Sequence, residues 1–283
     1  MSSIIQLIYS VIIGIIQGIS EWLPISSKTQ IIVSSSILLK LDYQQAYTFG
    51  LFMEIGTLAA AVIYFRKDLV SMVQVLAGSK DALKRKFFMY ILVVTLITAI
   101  IAVPLYLMAD SITGVALGIP ILIIGFVLIG DALLIRYSNN KLQQKVALRK
   151  LENLRFRDYL LVGITQGISA LPGVSRSGIT TSAMLLLKIE PEEAFRLSFT
   201  TGIFAAAGAF GLTLVASRHN VVTSISAIGI PGLAAAIVTS LIISLFLIDF
   251  LIKVAGKQKI TYLTAALGIV AIASGLLYLV LGL

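Results

Sequence analysis

The amino-acid sequence predicts an all-α polytopic membrane protein, with six transmembrane helices plus two re-entrant helical hairpins in an inverted-topology repeat. Of its 283 residues, 58% are hydrophobic and 12% are charged, which excludes an ordinary soluble globular protein. Apolar runs of the roughly 20 residues needed to cross a bilayer recur along the chain. The tetrapeptide Gln-Gly-Ile-Ser occurs twice, at Gln17–Ser20 and 149 positions later at Gln166–Ser169. The repeated tetrapeptide indicates two related halves.

Six apolar runs are predicted to be full spans: about 46–65, 87–108, 112–135, 195–216, 231–252 and 261–281. Basic residues cluster in the connecting loops 66–86, 136–157 and 253–260. An even number of spans separates these loops, so they share one side, which the positive-inside rule assigns to the cytoplasm. Both termini are then expected on the outer face. The same distribution accounts for the net charge of +9 and argues against nucleic acid as a partner.

Two further apolar regions, about 3–41 and 158–189, are each interrupted by a segment rich in Pro, Ser and Gly. The arm Ile31–Leu41 is too short to span comfortably, and irregular backbone at membrane depth needs protein or a water-filled cavity around it. Both regions are therefore predicted to be re-entrant hairpins. The chain is then a single membrane domain of two repeats, about 1–135 and 158–283, with both hairpin tips near the midplane.

The tip of the second hairpin, residues 172–181, has the composition of an anion site. Arg176 offers a planar, permanently charged fork suited to phosphate oxygens, and a helix starting near Gly178 adds a positive N-terminus. A packing break with a snorkelling arginine is the alternative, but the cost of an intramembrane charge favours a functional role. The other predicted phosphate-binding residues of this tip are Gly173, Ser175, Ser177 and Thr180.

The tip of the first hairpin carries groups suited to phosphoryl transfer. Gln17 and Glu21 are four residues apart and therefore share a helix face. A poorly hydrated carboxylate at Glu21 suits a general base, or it could help to hold a divalent cation; a structural pairing with Arg176 is the alternative. Ser26 and Ser27 are candidate nucleophiles if a base lies within hydrogen-bonding reach. The predicted binding residues of this half are Gln17, Ser26, Gln30 and Glu54, an acid inside the span 46–65.

These motifs resemble those of the bacitracin-resistance family of undecaprenyl-diphosphate phosphatases. Gln17, Glu21 and the stretch Leu23–Ser27 match its first motif, and Pro172–Ser177 followed by Thr180 matches its second. The resemblance covers essentially the whole chain. It implies a cell-membrane enzyme that removes the terminal phosphate of a polyprenyl diphosphate, with a site open to the outer face and Mg²⁺ or Ca²⁺ as cofactor. In bacteria this step recycles the lipid carrier of cell-wall synthesis.

The chain departs from the family pattern at two places. Lys28-Thr29-Gln30 stands where the family usually has Ser-Gly-His or Thr-Gly-His, and Glu54 replaces a common Gln. Gln30 cannot act as nucleophile or base. Either Ser27 or water therefore attacks with Glu21 as the base, or this member is impaired or acts on another substrate. We expect the first, with Glu21, Ser27 and Arg176 as the catalytic residues.

A transporter is the main alternative function. Inverted repeats with broken hairpins are commoner in transporters than in enzymes, and a flippase for polyprenyl phosphate or diphosphate would need the same anion site. A channel or a purely structural role is a third option, against which the charged residues at the tips argue. The expected partners are the polyprenyl diphosphate and membrane lipids, and the sequence leaves a homodimer open.

Overall fold

The computed structural model describes residues 3–41, 43–109, individual positions between 119 and 133, 148–171, 173–216, 229–255 and 260–280. In this part of the chain the regular structure is helical, apart from an isolated bridge between Arg149 and Ile189. The α-helices are, in order, α1 (Ser3–Ser20), α2 (Ser27–Leu38), α3 (Tyr43–Tyr64), α4 (Arg66–Leu76), α5 (Ala82–Ala109), α6 (Phe156–Ile168), α7 (Arg176–Leu186), α8 (Pro191–Ala216), α9 (Ile230–Ala255) and α10 (Ile260–Val280). A 3₁₀ turn at Leu151–Asn153 precedes α6.

Within the described residues, three segments are long and apolar enough to cross a membrane: Ala82–Leu105, Pro191–Leu212 and Ile230–Ala255. They lie in α5, α8 and α9, and α3 and α10 contain shorter apolar segments. Because hydrocarbon offers no hydrogen-bond partners, the backbone of such segments has to bond within its own helix. The prediction of a helical, polytopic membrane protein is confirmed. The predicted span 112–135 lies largely outside the described residues, as do most of loop 136–157 and residues 256–259 of the third basic loop.

Both predicted hairpins have the expected pattern of a helix, a break and a second helix. In the first hairpin, residues 21–26 separate α1 from α2. In the second, residues 169–175 separate α6 from α7, and within this break Pro172 lies outside the described residues. The two breaks coincide with the two polar segments that follow the repeated tetrapeptide.

Matching residues begin and end the second arm of each hairpin. Ser26 and Ser175 are the N-caps of α2 and α7, and each hydroxyl accepts a backbone N–H three residues later, satisfying a donor that the helix itself leaves unbonded. Each arm is followed by a lysine with positive φ, Lys40 at 58° and Lys188 at 59°, which is uncommon for a residue with a side chain. The repeat therefore extends from the sequence to the backbone conformation.

The chain folds as two compact units. The first comprises Met1–Trp22, Ser26–Tyr64 and Ile203–Asp249, and the second comprises Leu23–Ile25, Phe65–Gly202 and Phe250–Leu283. Neither unit follows a sequence repeat, because each contains helices from both halves of the chain.

Two glycines allow α1 to pack closely on α9 in the first unit. A Cβ at Gly14 would lie 2.6 Å from the carbonyl oxygen of Ala236, and one at Gly18 would lie 2.7 Å from Cβ of Ile243. Small residues four apart permit such close approach between helices in a membrane. Around this contact, α1, α2 and α3 enclose a core of buried side chains that includes Ile13, Ile31, Phe49 and Met53.

The same arrangement recurs in the second unit, 149 positions later. A Cβ at Gly163 or Gly167 of α6 would lie 2.7 Å from Cβ of Ile97 or Ile101, respectively, on α5. The contacts are exchanged between the halves of the chain: α1 belongs to the first repeat and packs on α9 of the second, while α6 belongs to the second and packs on α5 of the first. Each hairpin thus begins with an arm that packs on a helix from the other half.

The segment 66–86, predicted to be a loop, contains the helix α4. Its apolar residues Val70, Val73 and Leu76 recur every third position and are 53%, 63% and 73% exposed, while none of its residues is buried. The helix is too short for a span. It begins with three charged residues, and Ser71 and Gln74 interrupt the apolar residues that follow, so its sequence lacks the continuous apolar run used to recognise helices. Short helices with one apolar and one charged face are typical of the membrane interface.

Candidate active site

Three side chains of the first hairpin form a hydrogen-bonded cluster in the first unit. The hydroxyl of Ser27 donates to Oε2 of Glu21 at 2.7 Å, and the amide Nε2 of Gln17 donates to the same oxygen at 3.1 Å. Gln17 and Glu21 are 1% and 9% exposed. The structure therefore brings together the predicted nucleophile and the predicted base at hydrogen-bonding distance, with the base held in place from the helix that precedes it.

Local helix chemistry determines where Ser27 lies. Ser26 caps α2, and its Oγ accepts a hydrogen bond from the Thr29 hydroxyl at 2.9 Å. Ser27 is then the first residue of the helix, directly after the break. Gln30 lies one turn further along α2, and its backbone N–H donates to the carbonyl of Ser26 at 3.1 Å. Ser26 thus caps the start of α2, and Ser27 faces the Glu21 carboxylate.

The first unit also contains an ion pair close to this cluster in sequence. Nζ of Lys28 lies 4.0 Å from Oε1 of Glu54, and the Glu54 side chain is 8% exposed while that of Lys28 is 38% exposed. Glu54 is the one charged residue of α3, and Lys28 is the one charged residue of α2. The predicted site residue Glu54 therefore faces a cation.

In the second unit, the carbonyl oxygen of Leu23 accepts two hydrogen bonds from the second tip. The hydroxyls of Ser175 and Ser177 each donate to it at 3.1 Å. The Ser175 hydroxyl also accepts the N–H of Gly178 at 3.2 Å, as the cap of α7. Both serines are buried, so these bonds fix Leu23, which lies in the first helix break, against the start of α7.

Arg176 is the first residue of α7, and its guanidinium rests on a glycine of α8. Nη1 donates to the carbonyl oxygen of Gly202 at 2.5 Å. A Cβ at Gly202 would lie only 2.9 Å from Cζ of Arg176, so this glycine leaves the space that the guanidinium occupies. Gly202 was not predicted from the sequence, because Arg176 bonds its backbone carbonyl and every residue type has one.

The remaining predicted residues of the second tip support the backbone around Arg176. Thr180 is fully buried; its hydroxyl donates to the Arg176 carbonyl at 2.7 Å and lies 2.5 Å from the Ser198 hydroxyl. Gly173 has a φ of 81°, a left-handed conformation that glycine adopts without steric cost. These two residues shape the tip that presents Arg176.

The two copies of the repeated glutamine differ in their hydrogen bonding. Gln17 donates to Glu21, four residues later, whereas the position four residues after Gln166 is Ala170. The Gln166 side chain is 1% exposed, and within the described part of the chain neither of its amide atoms has a hydrogen-bond partner. A buried polar group without a partner lowers the free energy of unfolding, so packing alone does not explain why a glutamine is buried at position 166.

An ion pair fixes the start of α6 in the second unit. The Arg149 guanidinium bonds both carboxylate oxygens of Asp158, at 3.2 Å from Nη1 to Oδ1 and through a shorter Nη2–Oδ2 contact. The backbone N–H of Arg155 also donates to Asp158 at 2.6 Å. Burial raises the pKa of Asp158, but the hydrogen bonds from Arg149 and Arg155 outweigh it, and the pKa lies below its ordinary value.

Among the described residues, no group of three or more His, Cys, Asp and Glu side chains could hold a metal ion. Glu21 supplies a single hard oxygen ligand beside the Ser27 hydroxyl. Mg²⁺ is commonly held by one or two carboxylates together with substrate phosphates and water. The residues of the first tip therefore fit a cation that a phosphate substrate completes, and they do not form a protein cage.

Comparison with known proteins identifies the family. The sequence profile of the family described as Bacitracin resistance protein BacA matches residues 10–273. The chain belongs to this family. Its relatives include a protein named undecaprenyl-diphosphatase from Saccharolobus solfataricus, 45% identical over 96% of each chain. Proteins of the same name are 44% identical in Sulfurisphaera tokodaii, over 94% of this chain and 96% of the relative, and 37% identical in Pyrobaculum aerophilum, over 95% and 97%.

Membership of the BacA family confirms the resemblance inferred from the two motifs. The described motif residues lie in the two helix breaks or in the helices that flank them, with Ser27 and Arg176 at equivalent positions, each the first residue of its hairpin's second arm. The contributions of Gly202 and the Leu23 carbonyl were missed. The paired glycines 14, 18, 163 and 167 were visible in the sequence at the offset of the repeat, and that offset could have identified them.

Proposed function

We propose that this chain is a membrane phosphatase that hydrolyses a polyprenyl, undecaprenyl-type diphosphate to the monophosphate and inorganic phosphate, recycling a lipid carrier. The observation that carries this proposal is the 2.7 Å hydrogen bond from the Ser27 hydroxyl to Glu21. A hydroxyl bonded to a carboxylate is the arrangement of an activated nucleophile and its base. The name shared by the relatives supports the substrate class.

In the proposed reaction, Oγ of Ser27 attacks the terminal phosphorus as its proton passes to Glu21. The bond from phosphorus to the bridging oxygen breaks, and the polyprenyl monophosphate leaves. Glu21 passes that proton to the leaving monophosphate or to solvent, and water then attacks the phosphoserine as one of its protons passes to Glu21. The bond from phosphorus to Oγ breaks, Glu21 returns the proton to Oγ of Ser27, and inorganic phosphate departs. Direct attack by water with Glu21 as the base gives the same products. Most of the catalytic effect in phosphoryl transfer comes from positioning and charge neutralisation.

Arg176 supplies that charge in the proposal. A guanidinium has five N–H donors in a fixed fork, and its Nη1 is held by Gly202. A held fork loses little conformational freedom when it binds phosphate oxygens. The serines on either side of Arg176 both bind the Leu23 carbonyl.

A divalent cation, Mg²⁺ or Ca²⁺, is proposed at Glu21. When bound, it would neutralise charge on the phosphate oxygens that it shares with the protein. The chain's own contribution is the Glu21 carboxylate, which Gln17 orients through its 3.1 Å hydrogen bond.

The proposed topology has six full spans and two re-entrant hairpins, with both termini and the site opening on the outer face of the cell membrane. The matched caps and glycine contacts of the two hairpins support the inverted repeat. The basic segments 66–86, 136–157 and 253–260 would lie in the cytoplasm. An apolar surface between spans would hold the prenyl chain.

A flippase for the same lipid is the second candidate, since broken hairpins are also transporter features. The deciding experiment adds undecaprenyl diphosphate and Mg²⁺ to the purified protein in detergent and measures phosphate release. We expect release, and a loss of about 10²-fold or more in Glu21→Ala, Ser27→Ala and Arg176→Ala. No release from wild type, together with lipid phosphate transfer across proteoliposome membranes, would establish the transporter instead.

A Gln30→His variant tests whether the native site is compromised by its departure from the family pattern. A large gain in rate would show that it is. A rate close to that of wild type would show that the cluster of Glu21 and Ser27 is sufficient without an imidazole.

A further inference from the structure

The ion pair of Lys28 with Glu54 is unusual for its place in the chain. Lys28 is the second residue of α2, where the positive end of the helix dipole disfavours a cation. Glu54 is buried inside α3, where a charge is costly. Replacing a buried ion pair by apolar residues is often neutral or stabilising, so the pair is not explained by fold stability.

The geometry of the pair is loose. Its 4.0 Å separation is longer than a hydrogen bond between an ammonium and a carboxylate. The Lys28 side chain retains 38% exposure while Glu54 retains 8%. The anion is therefore enclosed by the fold, and the cation lies at the accessible end of the pair, adjacent in sequence to Ser27.

The local charge balance indicates what the cation does. The described parts of α1, α2, α3 and the first break contain two carboxylates, Glu21 and Glu54, with Lys28 as the cation that faces one of them. Without Lys28, the first tip would present two negative charges to an incoming diphosphate. Coulomb repulsion in a poorly hydrated site is strong, so a cation at this position favours anion binding.

We propose that Lys28 binds a phosphate group of the substrate and that Glu54 is a positioning residue. Glu54 holds the Lys28 ammonium until the phosphate takes the place of the Glu54 carboxylate as its partner. This inference rests on the proposed function and names a further substrate-binding residue for it. It assigns a role to both departures from the family pattern: a lysine two residues before Gln30 supplies positive charge, and an acid in α3 keeps it in place.

Substitutions of Lys28 and of Glu54 should then have opposite effects on anion binding. Trp22 is the only tryptophan of the chain and follows Glu21 directly, so its fluorescence can report binding at the first tip. Inorganic pyrophosphate is the probe, titrated into the full-length protein in detergent. Lys28→Gln should raise the Kd about tenfold, the loss expected for one charge-assisted hydrogen bond. Lys28→Arg should stay within about threefold of wild type. Glu54→Gln should lower the Kd, because the ammonium no longer has a competing carboxylate.

Lys40→Gln is the matched control. It removes one positive charge from an exposed residue two positions beyond the end of α2, roughly 15 Å or more from Lys28 at 1.5 Å per helical residue, and should leave the Kd unchanged. If Lys28→Gln and Glu54→Gln instead shift the Kd in the same direction, or lower only the melting temperature, the pair is structural and the proposal is wrong.

The binding titration needs no turnover, so the two proposals fail separately. Wild-type protein that binds pyrophosphate through Lys28 but releases no phosphate from undecaprenyl diphosphate would overturn the proposed function alone. Wild-type protein that releases phosphate, with pyrophosphate binding unaffected by Lys28→Gln, would overturn the role of Lys28 alone.

Discussion

The hydroxyl of Ser27 donates a 2.7 Å hydrogen bond to Oε2 of Glu21. This contact predicts that Ser27 is the nucleophile, and that Ser27→Ala lowers kcat by about 10³-fold, within the range for loss of an activated group. Rapid quenching followed by mass spectrometry should detect phosphoserine at position 27. Ser34→Ala is the control, since Ser34 lies on the same helix and bonds its own backbone at the Gln30 carbonyl. A Ser27→Ala variant within tenfold of wild type would assign the attack to water.

Gly202 predicts an effect from adding a single methyl group. In Gly202→Ala the new Cβ would lie 2.9 Å from Cζ of Arg176, so the guanidinium has to move. A displacement of about 1 Å can cost 10²-fold in rate, and we expect a loss of this order in kcat/KM without loss of the fold. Gly208→Ala, on the same helix and with open space around its Cβ, should retain wild-type activity. Equal activity of the two variants would contradict the role of Gly202.

The shared acceptor at Leu23 predicts a non-additive pair of mutations. Ser175→Ala or Ser177→Ala alone leaves the Leu23 carbonyl with one of its two serine donors, and the lost bond should cost about 0.5 to 1.5 kcal/mol of unfolding free energy. Ser175→Ala also removes the cap of α7, which should add about 1 kcal/mol. The double variant leaves the Leu23 carbonyl without either serine donor, and its loss of unfolding free energy should exceed the sum of the two single-variant losses. Thermal unfolding of the four proteins in detergent closes this cycle. A strictly additive result would mean that the two hydroxyls act independently.

The two copies of the repeated glutamine predict stability changes of opposite sign. Gln17→Leu removes a donor to the buried Glu21 carboxylate and should lower the free energy of unfolding. Gln166→Leu removes an amide whose two polar atoms lack partners in the described structure and should raise it by about 1 to 2 kcal/mol. The melting temperatures of the two variants provide the measurement. If Gln166→Leu is instead destabilised, the amide has a partner, such as a buried water.

Asp158 predicts a specific loss of stability in acid. Its pKa is lowered in the folded state, so its contribution is complete above the unfolded value of about 3.9 and is lost as the pH falls through the folded value. Asp158→Asn should be less stable than wild type at pH 7. As the pH falls below about 4, its free energy of unfolding should change less than that of wild type. Glu152→Gln, at an exposed position of the preceding turn, should follow the wild-type curve. Parallel curves for wild type and Asp158→Asn would rule out this linkage.

Long apolar runs made most helices predictable, because each carries its own signal. The helices α5, α8 and α9 begin and end within a few residues of the predicted spans 87–108, 195–216 and 231–252. The two helix breaks could also be predicted, since each coincides with a segment rich in Pro, Ser and Gly. The short helix α4 was missed because it has only eleven residues and begins with three consecutive charges.

Only part of the candidate site could be predicted from the sequence. Glu21, Ser27 and Arg176 could be proposed as catalytic residues because their chemistry depends on their side chains, and that assignment stays a prediction. Gly202 and the carbonyl of Leu23 act through an empty space and a backbone oxygen, and a single sequence assigns neither property to a position. Contacts between residues as distant as 23 and 175 depend on how the chain folds.

The exchanged glycine contacts have a consequence for the origin of this protein. Since α1 packs on α9 and α6 on α5, a half-length ancestor would have packed the first arm of its hairpin on a second copy of itself. Two identical copies would have carried identical side chains at the positions now numbered 27 and 176. A serine at one position and an arginine at the other therefore require a duplicated gene, in which the two copies can evolve unlike residues at like positions.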